Sequence, residues 1–124
     1  MTDLNSKILK SSSGKLHDVA QMVYHILYKD YKYEAGRWIH QINDQWLDDS
    51  DGISLRRDID NIVVKAYIDF IRENNSNAFD HNDEEKYKCL AISRELTTIT
   101  YYLRTKDYKE KLLCNCASLW SKMN

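Results

Sequence analysis

The chain of 124 residues has no proline and only three glycines. With the usual helix breakers so scarce, long uninterrupted helices are the expected backbone. An excess of charge of one sign is missing too, since 18 basic residues face 19 acidic ones, for a formal net charge of -1. A free-standing nucleic-acid binder ordinarily carries a clear basic excess, so such a role must rest on a local patch or on neighbouring domains. The sequence has no run of about 18 apolar residues that could span a membrane. Its start, MTDLNSKILKSSSGK, lacks the continuous apolar stretch of a secretory signal. Three cysteines are an odd number and too few for a disulfide framework. Together these absences lead us to expect a reducing, intracellular setting with no membrane partner.

What is present is a 43% hydrophobic share, enough for the thin core of one domain. Residues 1–14 read as a flexible lead-in, and 15–124 as a single helical domain. Val19, Ala20, Val23 and Leu27 recur at helical spacing from Leu16, with Ser13 or Gly14 as a cap. A second helix, capped by Ser54, carries Leu55, Ile59, Ile62, Val63, Ala66, Phe70 and Ile71. The stretch ENNSNAFDHND reads as a polar connection. A third helix runs from near Asp83 through Leu90, Ile92, Leu96, Ile99 and Leu103. A fourth, capped by Thr105 or Asp107, carries Leu112, Leu113, Cys116, Leu119 and Trp120. Between the first two helices, Arg37 to Asp48 is rich in strand formers and holds a plausible turn at Asn43-Asp44. The expected fold is therefore mainly α, about four helices packed as a small bundle, with one short β-hairpin between the first and second helices.

Several apparent motifs dissolve on inspection. SSSGKL suggests a phosphate-binding loop, but Leu9 and Leu16 stand where that loop needs glycine and a hydroxyl residue. DDSDG suggests a calcium loop, but Leu47 would be its first ligand and Asp58 would replace the bidentate glutamate. Cys114 and Cys116 lie about 200° apart around a helix and cannot both face one metal. His17, His25, His40 and His81 share no ligand spacing. No catalytic constellation, metal site or cofactor is expected.

Two features carry more information. Arg56 and Arg57 open the second helix, while Arg104, Lys106, Lys109 and Lys111 surround the last helix–helix turn. Cations at a helix N-terminus oppose its dipole, so a carboxylate such as Asp48, Asp49 or Asp51, or a phosphate, should accompany them. These six form the candidate DNA-binding surface. Trp38 and Trp46 form the candidate structural hairpin. A three-residue loop would put both indoles on one face, whereas a two-residue loop would pair Gln41 with Trp46 and separate them. In either register the hairpin is expected to clamp a core, because an isolated hairpin is marginal in water.

The order of these features resembles a known family. A helix is followed by a tryptophan, seven residues, a second tryptophan, an acidic stretch and then GISLRRDIDNIVVKAYIDFI. This is similar to the domain just upstream of the superfamily-three helicase in poxvirus primase–helicases, giant-virus relatives and phage or plasmid primases. That family has an aromatic hairpin, W-Y-x-F-x-x-H-x-W, before a Gly-x-x-Leu-Arg helix start. Trp38, Trp46, Gly52, Leu55, Arg56 and Ile59 match it, and YYLRTKDYKEKLLCNCASLW resembles its closing segment, a basic-aromatic turn leading into a final helix. Ile39 and Gln41 replace its usual aromatics, and Asp44 stands at its common histidine. The resemblance spans roughly Leu16 to Trp120. It implies a non-enzymatic collar module, either an excised domain or a shortened relative. The implied partners are a downstream helicase motor, an upstream primase, copies of itself in a ring, and DNA. The alternative expectation is a stand-alone helical protein–protein interaction domain.

Overall fold

The computed structural model describes residues 3–123 and contains five helices and a three-stranded sheet. Helix α1 spans Asp3–Ser11 and α2 spans Leu16–Leu27. Strands β1 (Tyr31–Glu34), β2 (Arg37–Ile42) and β3 (Gln45–Asp48) form an antiparallel meander in the order β1-β2-β3. Helix α3 covers residues 53–78, with a π-helical turn at Ile59–Val63. Helices α4 (Asp83–Leu103) and α5 (Lys106–Met123) complete the chain.

Four helices fall where apolar spacing places them, and the fifth corrects the lead-in. Within residues 1–14, Asp3–Ser11 is α1, while the first two residues lie outside the described ones. One buried apolar side chain holds it, since Ile8 sits in the core and Leu4 packs against that core one turn earlier. Polar contacts add to this: the Tyr67 hydroxyl donates to Ser11 Oγ at 2.8 Å, and Ser11 in turn donates to the Ile8 carbonyl at 2.6 Å. Gly14, at φ 78°, then turns the chain into α2. The sheet consequently lies between the second and third helices, not the first and second.

The single expected hairpin is a three-stranded sheet. Ala35 and Gly36, at φ 53° and 76°, close β1 onto β2, and Asn43 and Asp44, at 52° and 65°, close β2 onto β3. Positive φ at both loop residues is the type I′ geometry that matches the twist of paired strands. The second loop has two residues, so Gln41 pairs with Trp46 and the indoles part. Trp38 enters the core at 5% exposure, while Trp46 stays on the outer face at 38% with the Lys32 ammonium 4.2 Å above its ring.

Helix α3 begins at Ile53 after Gly52 at φ 69°, and Ser54 is not its cap. The Asp49 carboxylate instead accepts from the Ser54 and Leu55 amides at 3.0 and 3.4 Å. The π turn shifts the buried stripe by one residue, from Leu55, Ile59 and Val63 to Val64 and Tyr67. That shift leaves Ile62, expected in the stripe, exposed. The helix also runs on through most of the segment read as a connection. Asn74 holds it there by donating to the Cys89 carbonyl (2.7 Å) and Ser93 Oγ (2.8 Å) on α4.

The core closes around Trp120 on α5. Its indole N–H donates to the Tyr31 carbonyl at 2.9 Å, and its ring meets Trp38 and Tyr24 edge-on at 5.2 and 4.8 Å. One side chain thus joins α2, the sheet and α5. Trp120→Phe leaves a buried carbonyl unpaired and a partly empty ring site, and should cost about 2–4 kcal/mol. Urea unfolding should show a lower midpoint with an unchanged slope.

Candidate nucleic-acid interface

The six expected cations differ in how the fold engages them. Arg56 is engaged internally, with Nη1 3.1 Å from Glu110 on α5 and Nε donating to the Asp51 carbonyl at 3.2 Å. Its neutralising partner is therefore Glu110, not the acidic loop before the helix. Lys109 is tied down more firmly, with its ammonium 2.6 and 2.7 Å from the two oxygens of Asp60 and its side chain 12% exposed. Arg57 points elsewhere, 3.9 Å from Asp58 and largely exposed. Arg104, Lys106 and Lys111 are exposed, and none lies within 4 Å of a carboxylate among the described residues. The structure thus divides the set into structural ties (Arg56, Lys109), a loosely paired residue (Arg57) and three free cations at one helix–helix turn.

An open groove of about 660 Å³ lies beside that turn, lined by residues including Tyr33, Trp38, Ile53, Arg56, Lys106 and Glu110. Its charges nearly cancel, because Asp51 and Glu110 face Arg56 and Lys106. Past Lys106 a second concavity, about 530 Å³, is lined by Tyr101, Tyr102, Thr105, Asp107, Tyr108 and Lys111. Tyr101 and Tyr102 are 68% and 47% exposed. These rings were missing from the expected site residues. Helical spacing draws attention to Ile99 and Leu103 in this segment, while the signal is the alternation of aromatic and basic residues in TYYLRTKDYKEK.

A second polar cluster, also missed, lies under the sheet. The Tyr31 hydroxyl donates to Asp58 Oδ2 at 2.5 Å, and its ring stacks on His40 with centroids 4.5 Å apart and planes 8° apart. His40 Nε2 lies 4.0 Å from the same carboxylate oxygen, and its Nδ1 is buried with no hydrogen-bond partner. The cross-strand pairing of Tyr31 with His40 explains the stacking, and nothing in the spacing from residue 31 to 58 announces the third member. Burial first, then the Asp58 hydrogen bond and charge, push the Tyr31 phenol well above the ordinary tyrosine value. Burial likewise raises the Tyr67 phenol and the Cys116 thiol, whereas Cys114 is exposed. Among the described residues, no group of three His, Cys, Asp or Glu side chains could hold a metal ion. No helix among them is long and apolar enough to cross a membrane.

The two classes of cation should separate in thermal unfolding. Lys109→Gln should lower stability by about 1–2 kcal/mol, whereas Lys106→Gln and Lys111→Gln should each change it by less than about 0.5 kcal/mol. The raised phenols fix a pH dependence of definite sign. Because the fold favours neutral Tyr31 and Tyr67, their contribution is complete below the ordinary tyrosine pKa of about 10 and is lost as pH rises above it. Phenolate absorbance should therefore rise in two stages, the second coinciding with loss of helical circular dichroism. In a native thiol-labelling experiment Cys114 should react and Cys116 should not. No family model, curated protein or solved structure matches this chain.

Proposed function

We propose that this chain is a non-enzymatic collar module of a viral or phage DNA-replication primase–helicase, supporting ring assembly and DNA engagement ahead of an ATPase motor. One observation carries the reading: Trp38, Gly52, Leu55 and Ile59 of the family resemblance meet Trp120 of its closing segment in one packed unit, while Trp46 stands outside it. A Cβ on Gly52 would stand 3.4 Å from Trp38 Cδ1 and 3.7 Å from Leu113 Cδ1, and the backbone there is left-handed. Leu55 and Ile59 are buried in the same core, Trp120 of the closing segment meets Trp38, and Arg56 reaches Glu110. Shared packing gives hairpin, Gly-x-x-Leu-Arg start and closing helix a common physical role.

The runner-up, a stand-alone protein-binding domain, is favoured by the exposed side chains of Ile42, Trp46 and Leu47 near the hairpin tip and by Ile53 at the start of α3. The experiment reads the frame beyond Asn124 for the motor this reading requires and compares that motor with and without this domain by native mass spectrometry. Under the collar reading, ring occupancy falls when the domain is removed or when Gly52→Val disrupts the Trp38 contact. Equal assembly without the domain, or a frame with no phosphate-binding loop after Asn124, sinks the collar reading in favour of the interaction domain.

A further inference from the structure

We propose that the α4–α5 turn is a binding site for single-stranded nucleic acid, with bases stacking on Tyr101 and Tyr102 and phosphates held by Arg104, Lys106 and Lys111. This rests on the reading of the chain as a DNA-engaging module and narrows that engagement to one turn and one form of nucleic acid.

The chemistry is that of sequence-tolerant single-strand binding, in which aromatic faces take unstacked bases while adjacent cations follow the backbone. Here the rings form a braced platform. Tyr102 stacks on Tyr108 with centroids 5.7 Å apart and planes 24° apart, and Tyr101 meets Tyr102 nearly edge-on at 5.8 Å. Tyr108 is half-buried against the core, so it anchors the series. The turn beneath is fixed as well: the Arg104 amide donates to the Tyr101 carbonyl, and the Thr105 amide and hydroxyl both donate to the Tyr102 carbonyl, at 3.2, 2.9 and 2.8 Å. A platform ordered before binding loses less conformational entropy when a base arrives. Lys106 and Lys111 line the concavity, Arg104 is exposed at the turn, and none of the three has an ion pair within 4 Å among the described residues, unlike Arg56 and Lys109. In the concavity itself two lysines face one carboxylate, Asp107, while Glu95 lines the adjoining hollow that Tyr102 and Tyr108 share.

The other exposed aromatics are poorer candidates for physical reasons. Trp46 already carries the Lys32 ammonium on one face and stands near Asp44 and Asp48. At the opposite end, Phe79 and Tyr87 are exposed but stand among Asp80, Asp83, Glu84 and Glu85, which repel phosphate. Single strands are favoured over duplex because stacking requires bases free of their own stack, and a turn bearing flat rings offers nothing shaped to enter a groove.

The experiment measures fluorescence anisotropy of a labelled oligothymidylate of about 12 nucleotides, at low salt, with the whole chain. Saturable binding is expected. Tyr101→Ala and Tyr102→Ala should each weaken it about ten-fold, while Tyr101→Phe, which keeps the ring, should stay within about two-fold. Replacing Arg104, Lys106 and Lys111 together by glutamine should flatten the plot of log affinity against log salt by about 2 units. Unlabelled duplex should compete worse than the single strand. Tyr101 is so exposed that its alanine variant should retain the wild-type circular dichroism, which keeps the test independent of folding. Unchanged affinity in Tyr101→Ala and Tyr102→Ala, preference for duplex, or displacement by polyglutamate as readily as by oligothymidylate overturns the inference. Motor assembly is scored on the same variants. No single-strand binding with assembly intact removes this inference and leaves the collar reading standing, whereas loss of both in wild-type protein removes both.

Discussion

The hydrogen bond from the Trp120 indole to the Tyr31 carbonyl joins residues 89 apart in sequence, and the remaining architecture follows from it. It requires the last helix to lie against the first strand, which brings Trp120 to Trp38 and Tyr24. With β1 fixed, Tyr31 stacks on His40 and reaches Asp58 at the end of the first α-helical part of α3. The entry of α3 is thereby located, and Gly52 there, in contact with Trp38, takes the left-handed φ of 69° that side-chain-bearing residues rarely adopt. A single buried donor–acceptor pair thus sets the relation between α2, the sheet, α3 and α5. Such a pair is worth only about 1 kcal/mol net, so its importance is geometric: any arrangement that leaves it unmade buries two polar groups without partners.

The sequence disclosed the elements that signal through apolar period and concealed those that depend on distant partners. The stripe from Val19 to Leu27 and that from Leu112 to Trp120 are visible because each helix buries one continuous face. Helix α1 escaped because one apolar turn beside a serine run has little periodicity, and its support comes from Tyr67, 56 residues on. Strand β1 escaped because Ala35-Gly36 is a weaker turn signal than Asn43-Asp44, although the two loops share one geometry. The π turn in α3 has no sequence mark at all, and it accounts for the exposed Ile62 within an otherwise buried stripe.

The candidate site shows the same division. Counting cations identified the right region, but it gave equal weight to residues with different partners. Nothing in the local sequence pairs Arg56 with Glu110 or Lys109 with Asp60, and only the tertiary fold brings them together. What then remains is smaller and more specific than a basic patch. Three cations without an ion pair among the described residues and a braced row of rings occur together at the α4–α5 turn. Charge balance near zero and a local site are compatible because the ion pairs lie elsewhere in the fold.

The covered strand has a last consequence, for growth of the sheet. Helix α5 closes the outer edge of β1, where Trp120 takes the Tyr31 carbonyl, while β3 is the opposite edge and its four residues are exposed. The sheet is therefore one-ended. Strand pairing with another molecule through β3 can make a couple of edges and then stop, because neither member offers a second free edge. A fibre needs two open edges per unit. A sheet with one edge covered by a helix and one edge open is limited in how far it can grow by strand pairing, and one indole makes that cover.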